Sequence, residues 1–219
     1  MTKHIAVRSP SKGGAAHAAS MGGNPMLPRG ELAPECRRCG RKMILFFQFD
    51  LEERFGLPLA AGSHLVVMMC PVCNEIPSFV RYAEGILPAA FWRETEGHFF
   101  AALYAPDDER GEVETPAILE RFDLSFERVG GRDSAERLTV GGEPSWIQAP
   151  ERYSCACGAP LSFVCQLSEN FRFPKRADAP EQPDSFSADD YCLFLGNETY
   201  VFACSKGCSP RAIWITVQG

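Results

Sequence analysis

The sequence predicts a mainly β fold, α+β at most, built as a tandem duplication of a β-rich unit with cysteine-knuckle sites. Three observations predict it. The apolar segments are short and alternate with period two, a set of motifs returns in the same order about 118 residues later, and eight of the ten cysteines fall into pairs beside those segments. A chain of 219 residues with 45% hydrophobic and 23% charged residues can bury a sizeable core as one large or two small domains. Pro, Gly or charge interrupts every apolar run well short of the roughly 18 residues that a membrane span needs.

Residues 1–19 are basic, acid-free and rich in Ala and Gly. They lack the apolar stretch of a secretory signal and read as a flexible tail, with an organelle transit peptide as the alternative. The expected compartment is the cytoplasm, where persistent disulfides are rare. Next comes Gly22-Gly23-Asn24-Pro25-Met26-Leu27-Pro28, which returns as Gly141-Gly142-Glu143-Pro144-Ser145-Trp146-Ile147, an offset of 119. Paired glycines permit positive φ or close backbone approach, and the proline sets the exit direction, so each copy reads as a tight turn into an edge strand. A phosphate loop would need a helix to follow, and none starts here.

Cys39-Gly40 and a strand ILFFQF match Cys157-Gly158 and LSFVCQL, with Gln48 on Gln166 at an offset of 118. Leu65–Cys73 matches Thr199–Cys208, with Cys70 on Cys204 at an offset of 134. The jump is one insertion in Glu169–Asp190, whose Pro, Asp and Ser content reads as a mobile loop. The units are therefore 20–125 and 126–219, joined by an acidic linker over Pro106–Pro116.

Leu161, Phe163, Cys165 and Leu167 alternate with Ser162, Val164 and Gln166, which predicts a strand with one buried face. Ile44–Phe49 is apolar on both faces except at Gln48, as a central strand would be. Leu65–Met69, Phe99–Tyr104, Phe122–Phe126, Tyr200–Ala203 and Ala212–Val217 are rich in β-branched and aromatic residues and read as further strands. Only Ala89–Glu94 and Pro116–Arg121 allow a helical turn.

Cys36-x-x-Cys39 and Cys70-x-x-Cys73 are two knuckles whose four thiolates suit a tetrahedral ion. Zinc is the expected occupant; iron, redox use or free thiols are the alternatives. Cys155-x-Cys157 and Cys204-x-x-x-Cys208 stand in the same places of the second unit with irregular spacing. They predict a second zinc, or else a decayed site of reduced cysteines. One or two Zn2+ in closed S4 shells would be structural, since no position is left for substrate. Cys165 and Cys192 read as core residues.

Catalytic sets are thin. Of the four histidines, His4 and His17 lie in the tail, while His64 and His98 read as surface residues. Asp107-Asp108 and Asp189-Asp190 read as solvated carboxylates. The net charge is −6, but the first thirty residues carry four basic and no acidic side chains, leaving −10 on the remainder. An acidic body disfavours nucleic acid and suits a basic protein partner.

The order GGxP, CxxCG, an apolar strand containing Gln, then a strand ending in Cys resembles the YwqG-like family of bacterial proteins. That family is grouped with programmed cell death protein two and its yeast counterparts as the TYPP superfamily. The second unit carries most of the likeness, through Gly141-Gly142-Glu143-Pro144-Ser145-Trp146, Cys157-Gly158, Leu161–Leu167 and Tyr200–Cys204 with Cys208. The first matches through Gly22–Pro28 and Gln48-Phe49-Asp50-Leu51. It departs in having no Trp at the place of Trp146, and Cys155-x-Cys157 departs from the usual two-residue spacing.

The resemblance implies a duplicated β fold and no catalysis. Eukaryotic relatives act as dedicated chaperones for a small-subunit ribosomal protein, and some bacterial relatives lie near toxin systems. The expected function is thus a non-catalytic, zinc-stabilised module that binds a protein client, chaperone-like for a basic one. A toxin-neutralising or regulatory interaction protein is the alternative, and a zinc-containing enzyme the third reading. The sequence leaves the oligomeric state open.

Overall fold

The computed structural model describes residues 2–11, 19–77, 97–129 and 137–219. In chain order the strands are β1 (His4–Pro10), β2 (Ser20–Met21), β3 (Met26–Pro28), β4 (Ile44–Asp50), β5 (His64–Met69), β6 (Phe99–Tyr104) and β7 (Arg110–Glu112). They continue as β8 (Phe122–Arg128), β9 (Leu138–Val140), β10 (Leu161–Leu167), β11 (Phe173–Pro174), β12 (Asp190–Tyr191), β13 (Glu198–Cys204) and β14 (Ile213–Gln218). Two 3-10 turns, Glu53–Phe55 and Phe194–Gly196, are the helical elements among the described residues. The mainly β expectation holds. Pro116–Arg121 forms no helical turn, and Ala89–Glu94 lies outside the described residues.

Ten strands form one antiparallel sheet in the order β14-β13-β10-β9-β1-β8-β2-β4-β5-β6. The sheet curls into a nearly closed barrel. At the seam, the Leu103 N–H in β6 donates to the Pro210 carbonyl at 2.8 Å, and the Arg211 guanidinium lies 3.6 Å from the centre of the Phe100 ring. Arg211 also pairs with Glu31 at 2.8 Å, and Glu31 accepts from the Tyr104 hydroxyl at 2.6 Å.

Side chains of β4, β5, β8, β9, β10, β13 and β14 meet in one interior core that includes Phe47, Phe49, Leu65, Val67, Phe126, Val140 and Ile215. Burying such a continuous apolar interior is the main stabilising term of a sheet closed on itself. On the outer face, Leu45, Val66 and Met68 join one cluster near β3, and Tyr200, Phe202 and Trp214 join another.

Several expectations change. The expected flexible tail contains β1, which pairs along its whole length with β8 and, at His4 and Ile5, with β9. Its backbone groups complete two ladders, and His4 is buried against Phe55. The boundary expected at residue 125 falls inside β8, so the two units share one sheet and one interior. The expected linker contributes β7, which pairs with β3.

The insertion 169–190 is a packed plug rather than a free loop. Phe171 and Phe173 enter the interior core, Phe173 meets Phe46 edge-on with ring centres 4.8 Å apart, and β11 pairs with β12. Its aromatic residues supply burial that its Pro and Asp content conceals.

Two bulges correct the alternation read from the sequence. Register shifts fall at Phe46 in β4 and at Val164 in β10. Each bulge places two successive side chains inward, Phe46 with Phe47 and Val164 with Cys165. Phe163 therefore joins Leu161 on the outer face, while Cys165 and Leu167 face the interior.

Candidate metal centres and an outer groove

Both cysteine quartets converge. The sulfurs of Cys36, Cys39, Cys70 and Cys73 lie within 4.8 Å of one another, and so do those of Cys155, Cys157, Cys204 and Cys208. None of the ten cysteines is in a disulfide. Sγ–Sγ separations are 3.5 Å for Cys39–Cys70, Cys155–Cys208 and Cys157–Cys204. Four thiolates at about 2.3 Å from a tetrahedral ion would lie about 3.8 Å apart, so the donor set fits a metal ion with little adjustment.

Local turns create this convergence. In the first quartet, the Gly40 N–H donates to the Cys36 carbonyl at 2.8 Å, with Gly40 at φ +72. The N–H groups of Val72 and Cys73 donate to the Cys70 sulfur at 3.4 and 3.3 Å. Backbone donors of this kind stabilise thiolate. The Cys70 N–H donates to the His98 carbonyl at 2.7 Å, which ties the second knuckle to the entry of β6.

The second quartet reaches the same end with different turns. One knuckle closes a residue sooner, with the Gly158 N–H on the Cys155 carbonyl at 2.8 Å. The other carries an extra residue, and Gly207 at φ +56 absorbs it while its N–H donates to the Cys204 carbonyl at 2.9 Å. One knuckle is shortened and its partner lengthened, so the four sulfurs still meet.

Protonation within the quartets is uneven. The Arg41 N–H holds the Cys39 thiol down to about 7, whereas burial pushes Cys73 up. Burial also pushes Cys204 up, but N–H groups of Cys208 and Lys206 outweigh it and bring the thiol to about 7. Cys165 and Cys192 are fully buried, as expected of core residues; Asn74 Nδ2 reaches the Cys192 sulfur at 3.4 Å.

His64 and His98, expected at the surface, are fully buried. His64 Nδ1 lies 2.7 Å from Asp50 Oδ1, and its Nε2 lies 3.2 Å from Gln48 Oε1. His98 Nε2 lies 3.1 Å from the Glu75 carbonyl. Neither quartet includes a histidine.

A second feature was not foreseen. A groove of about 650 Å³ opens on the outer face of the second half, lined by Trp146, Tyr153, Leu161, Phe163 and Phe202 with Pro144, Pro150 and Pro160 around them. Trp146 stacks on Tyr200 with ring centres 4.5 Å apart and lies nearly parallel to Phe202 at 5.9 Å. Glu143, Glu151 and Arg152 supply its charge. The signal in the sequence was Trp146 beside a Gly-Gly-x-Pro turn, but period two alone placed Phe163 in the core and removed it from view.

The fold and the sites thus define a β-barrel protein with two tetracysteine centres. Neither a protein-family model nor a curated relative matches the chain. Among the described residues, no helix is long and apolar enough to cross a membrane.

Proposed function

We propose that this protein is a non-catalytic binding module whose two tetracysteine sites hold structural zinc and whose client is a basic protein, in a chaperone-like role. The observation that carries the reading is the concave aromatic groove beside Trp146, where Trp146, Tyr153 and Leu161 stay partly exposed while most other large aromatics among the described residues are buried. Zinc suits the sites because a set of four thiolates favours a soft, tetrahedral ion. Each quartet uses all four positions of such an ion, which leaves none for substrate. The acidic character of the chain outside its first thirty residues favours a basic client, and reduced thiolates favour the cytoplasm.

The reading of two related units, and with it the resemblance to YwqG-like proteins, is supported by correspondences that run through the sheet. Gly22 and Gly141 donate to the carbonyls of the two bulged residues, Phe46 and Val164, at 3.1 and 2.9 Å. The β1–β8 ladder pairs Val7 with Ser125, positions that stand 118 residues apart like Gln48 and Gln166.

Affinity purification of the full chain at low salt, with elemental analysis of the same sample, tests the proposal. The expected result is one basic protein at stoichiometric amount and about two zinc ions per chain. Recovery of no partner across several salt concentrations overturns the client, and absence of zinc overturns the metal.

A further inference from the structure

In the first half of the barrel, the segment after the double glycine is covered. β3 pairs with β7, placing Leu27 opposite Gly111 and Met26 opposite Glu112. The Arg29 N–H donates to the Glu109 carbonyl and the Val113 N–H to the Pro25 carbonyl, each at 3.0 Å. An antiparallel ladder alternates, so Leu27 and Gly111 form the hydrogen-bonded pair between them. Asn24 Nδ2 completes the contact by donating to Glu112 Oε1 at 3.1 Å.

The second half presents the same segment with no described strand over it. Gln166 Oε1 accepts the Ser145 N–H at 2.8 Å, as Gln48 Oε1 accepts that of Met26. Pro144 and Trp146 therefore stand where Pro25 and Leu27 stand. Among the described residues, no strand lies against them, and neither the Trp146 N–H and carbonyl nor the Pro144 carbonyl has a partner. Trp146 also lines the open groove. The position of Asn24 is taken by Glu143, which is exposed. A carboxylate like that of Glu112 would be repelled there, and a cation would be held.

We propose that this edge takes up an extended segment of a partner protein, which adds one antiparallel strand along Pro144–Ile147 over the aromatic groove. A glycine or other small residue of the partner faces Trp146, and a Lys or Arg next to it faces Glu143. Main-chain pairing supplies the affinity of such strand addition, and the side-chain pockets supply the choice of sequence. This inference rests on the binding-module reading and names the chemistry of its client.

The probe is an end-blocked peptide, Thr-Glu-Arg-Gly-Lys-Val-Thr, built on the β7 segment, compared with the same peptide carrying Glu in place of Lys. Fluorescence anisotropy of the labelled peptides against the full chain reads the binding. The Lys peptide binds at least about tenfold more tightly than the Glu peptide, N-methylation of its glycine weakens it by at least about tenfold, and E143K reverses the order of the two peptides. No binding up to millimolar concentration, or binding indifferent to N-methylation and to E143K, overturns the proposal. A concentration-dependent dimer abolished by E143K assigns the edge to a second copy and overturns the partner. Capture of a basic protein that E143K leaves intact keeps the binding module and overturns this site alone.

Discussion

Gln48 and Gln166 hold their halves of the barrel in the same way: each accepts, at 2.8 Å, the backbone N–H of the third residue after a double glycine, Met26 and Ser145. Each side-chain amide also donates into that segment, Gln48 Nε2 to the Asn24 carbonyl and Gln166 Nε2 to the Ser145 carbonyl, both at 3.1 Å. The remaining partners differ. Gln48 faces His64, whereas Gln166 donates to Glu198, which stands at the matching place in its strand. Both glutamines are buried, so these contacts replace water.

Replacing either glutamine by leucine strands a polar backbone group beneath an apolar side chain. Gln48→Leu and Gln166→Leu are each expected to lower unfolding free energy by about 1–3 kcal/mol in denaturant titrations. An unchanged midpoint would show that water substitutes for the amide.

The double glycines are required by contact as well as by φ. A Cβ on Gly22, at φ +62, would lie 2.3 Å from the Glu120 carbonyl oxygen, and one on Gly141 would lie 2.6 Å from that of Phe55. Gly22→Ala and Gly141→Ala are expected to cost about 1–3 kcal/mol or more, since backbone must move. Gly30→Ala, where nothing lies within 4 Å, serves as the comparison and should lose less. Thermal melts of the three variants check the order.

Metal content should be about two zinc ions per chain, because the irregular quartet, like the regular one, brings all four sulfurs within 4.8 Å of one another. Apparent binding of about 10–16 kcal/mol per structural site is comparable to the whole stability of a domain. Cys73→Ser and Cys208→Ser should each lose one zinc, and a strong chelator should remove the cooperative melt. A ratio near one would leave the regular quartet as the sole site.

Glu198 sets a pH dependence. Burial raises its carboxyl above the ordinary value, against the opposing hydrogen bonds from Gln166 and the Glu169 N–H. The native pKa therefore lies above the unfolded value of about 4.3. The stability this group contributes is fully present below that pH and is lost as pH rises through the native pKa. Measured relative to Glu198→Gln, the wild-type chain should be most favoured near pH 4 and lose ground toward pH 7. A difference independent of pH would refute this.

β1 is a structural strand, so deleting residues 1–10 should abolish cooperative folding rather than leave it unchanged, as loss of a tail would. It pairs with β8 along seven residues and with β9 at two. Circular dichroism melts and the solubility of the truncated chain decide the matter.

Much of this protein was legible locally. Seven strands, the two cysteine quartets and the core character of Cys165 and Cys192 follow from residue spacing, because a knuckle is closed by four or five neighbouring residues and a strand announces itself by side-chain alternation. What spacing cannot carry is the partner across the ladder. The sequence of residues 4–10 is as polar as a tail, and only pairing with β8 and β9 makes it a strand at the middle of the sheet. The bulges at Phe46 and Val164 reverse which side chains face inward, a choice made by neighbouring strands. The burial of His64 and the plug at Phe173 likewise depend on residues distant in the chain. Composition and spacing determined that the chain is a β protein with two sets of four thiols. Long-range pairing, which no local window contains, decided that its two halves share one barrel and that no described strand covers the edge beside Trp146.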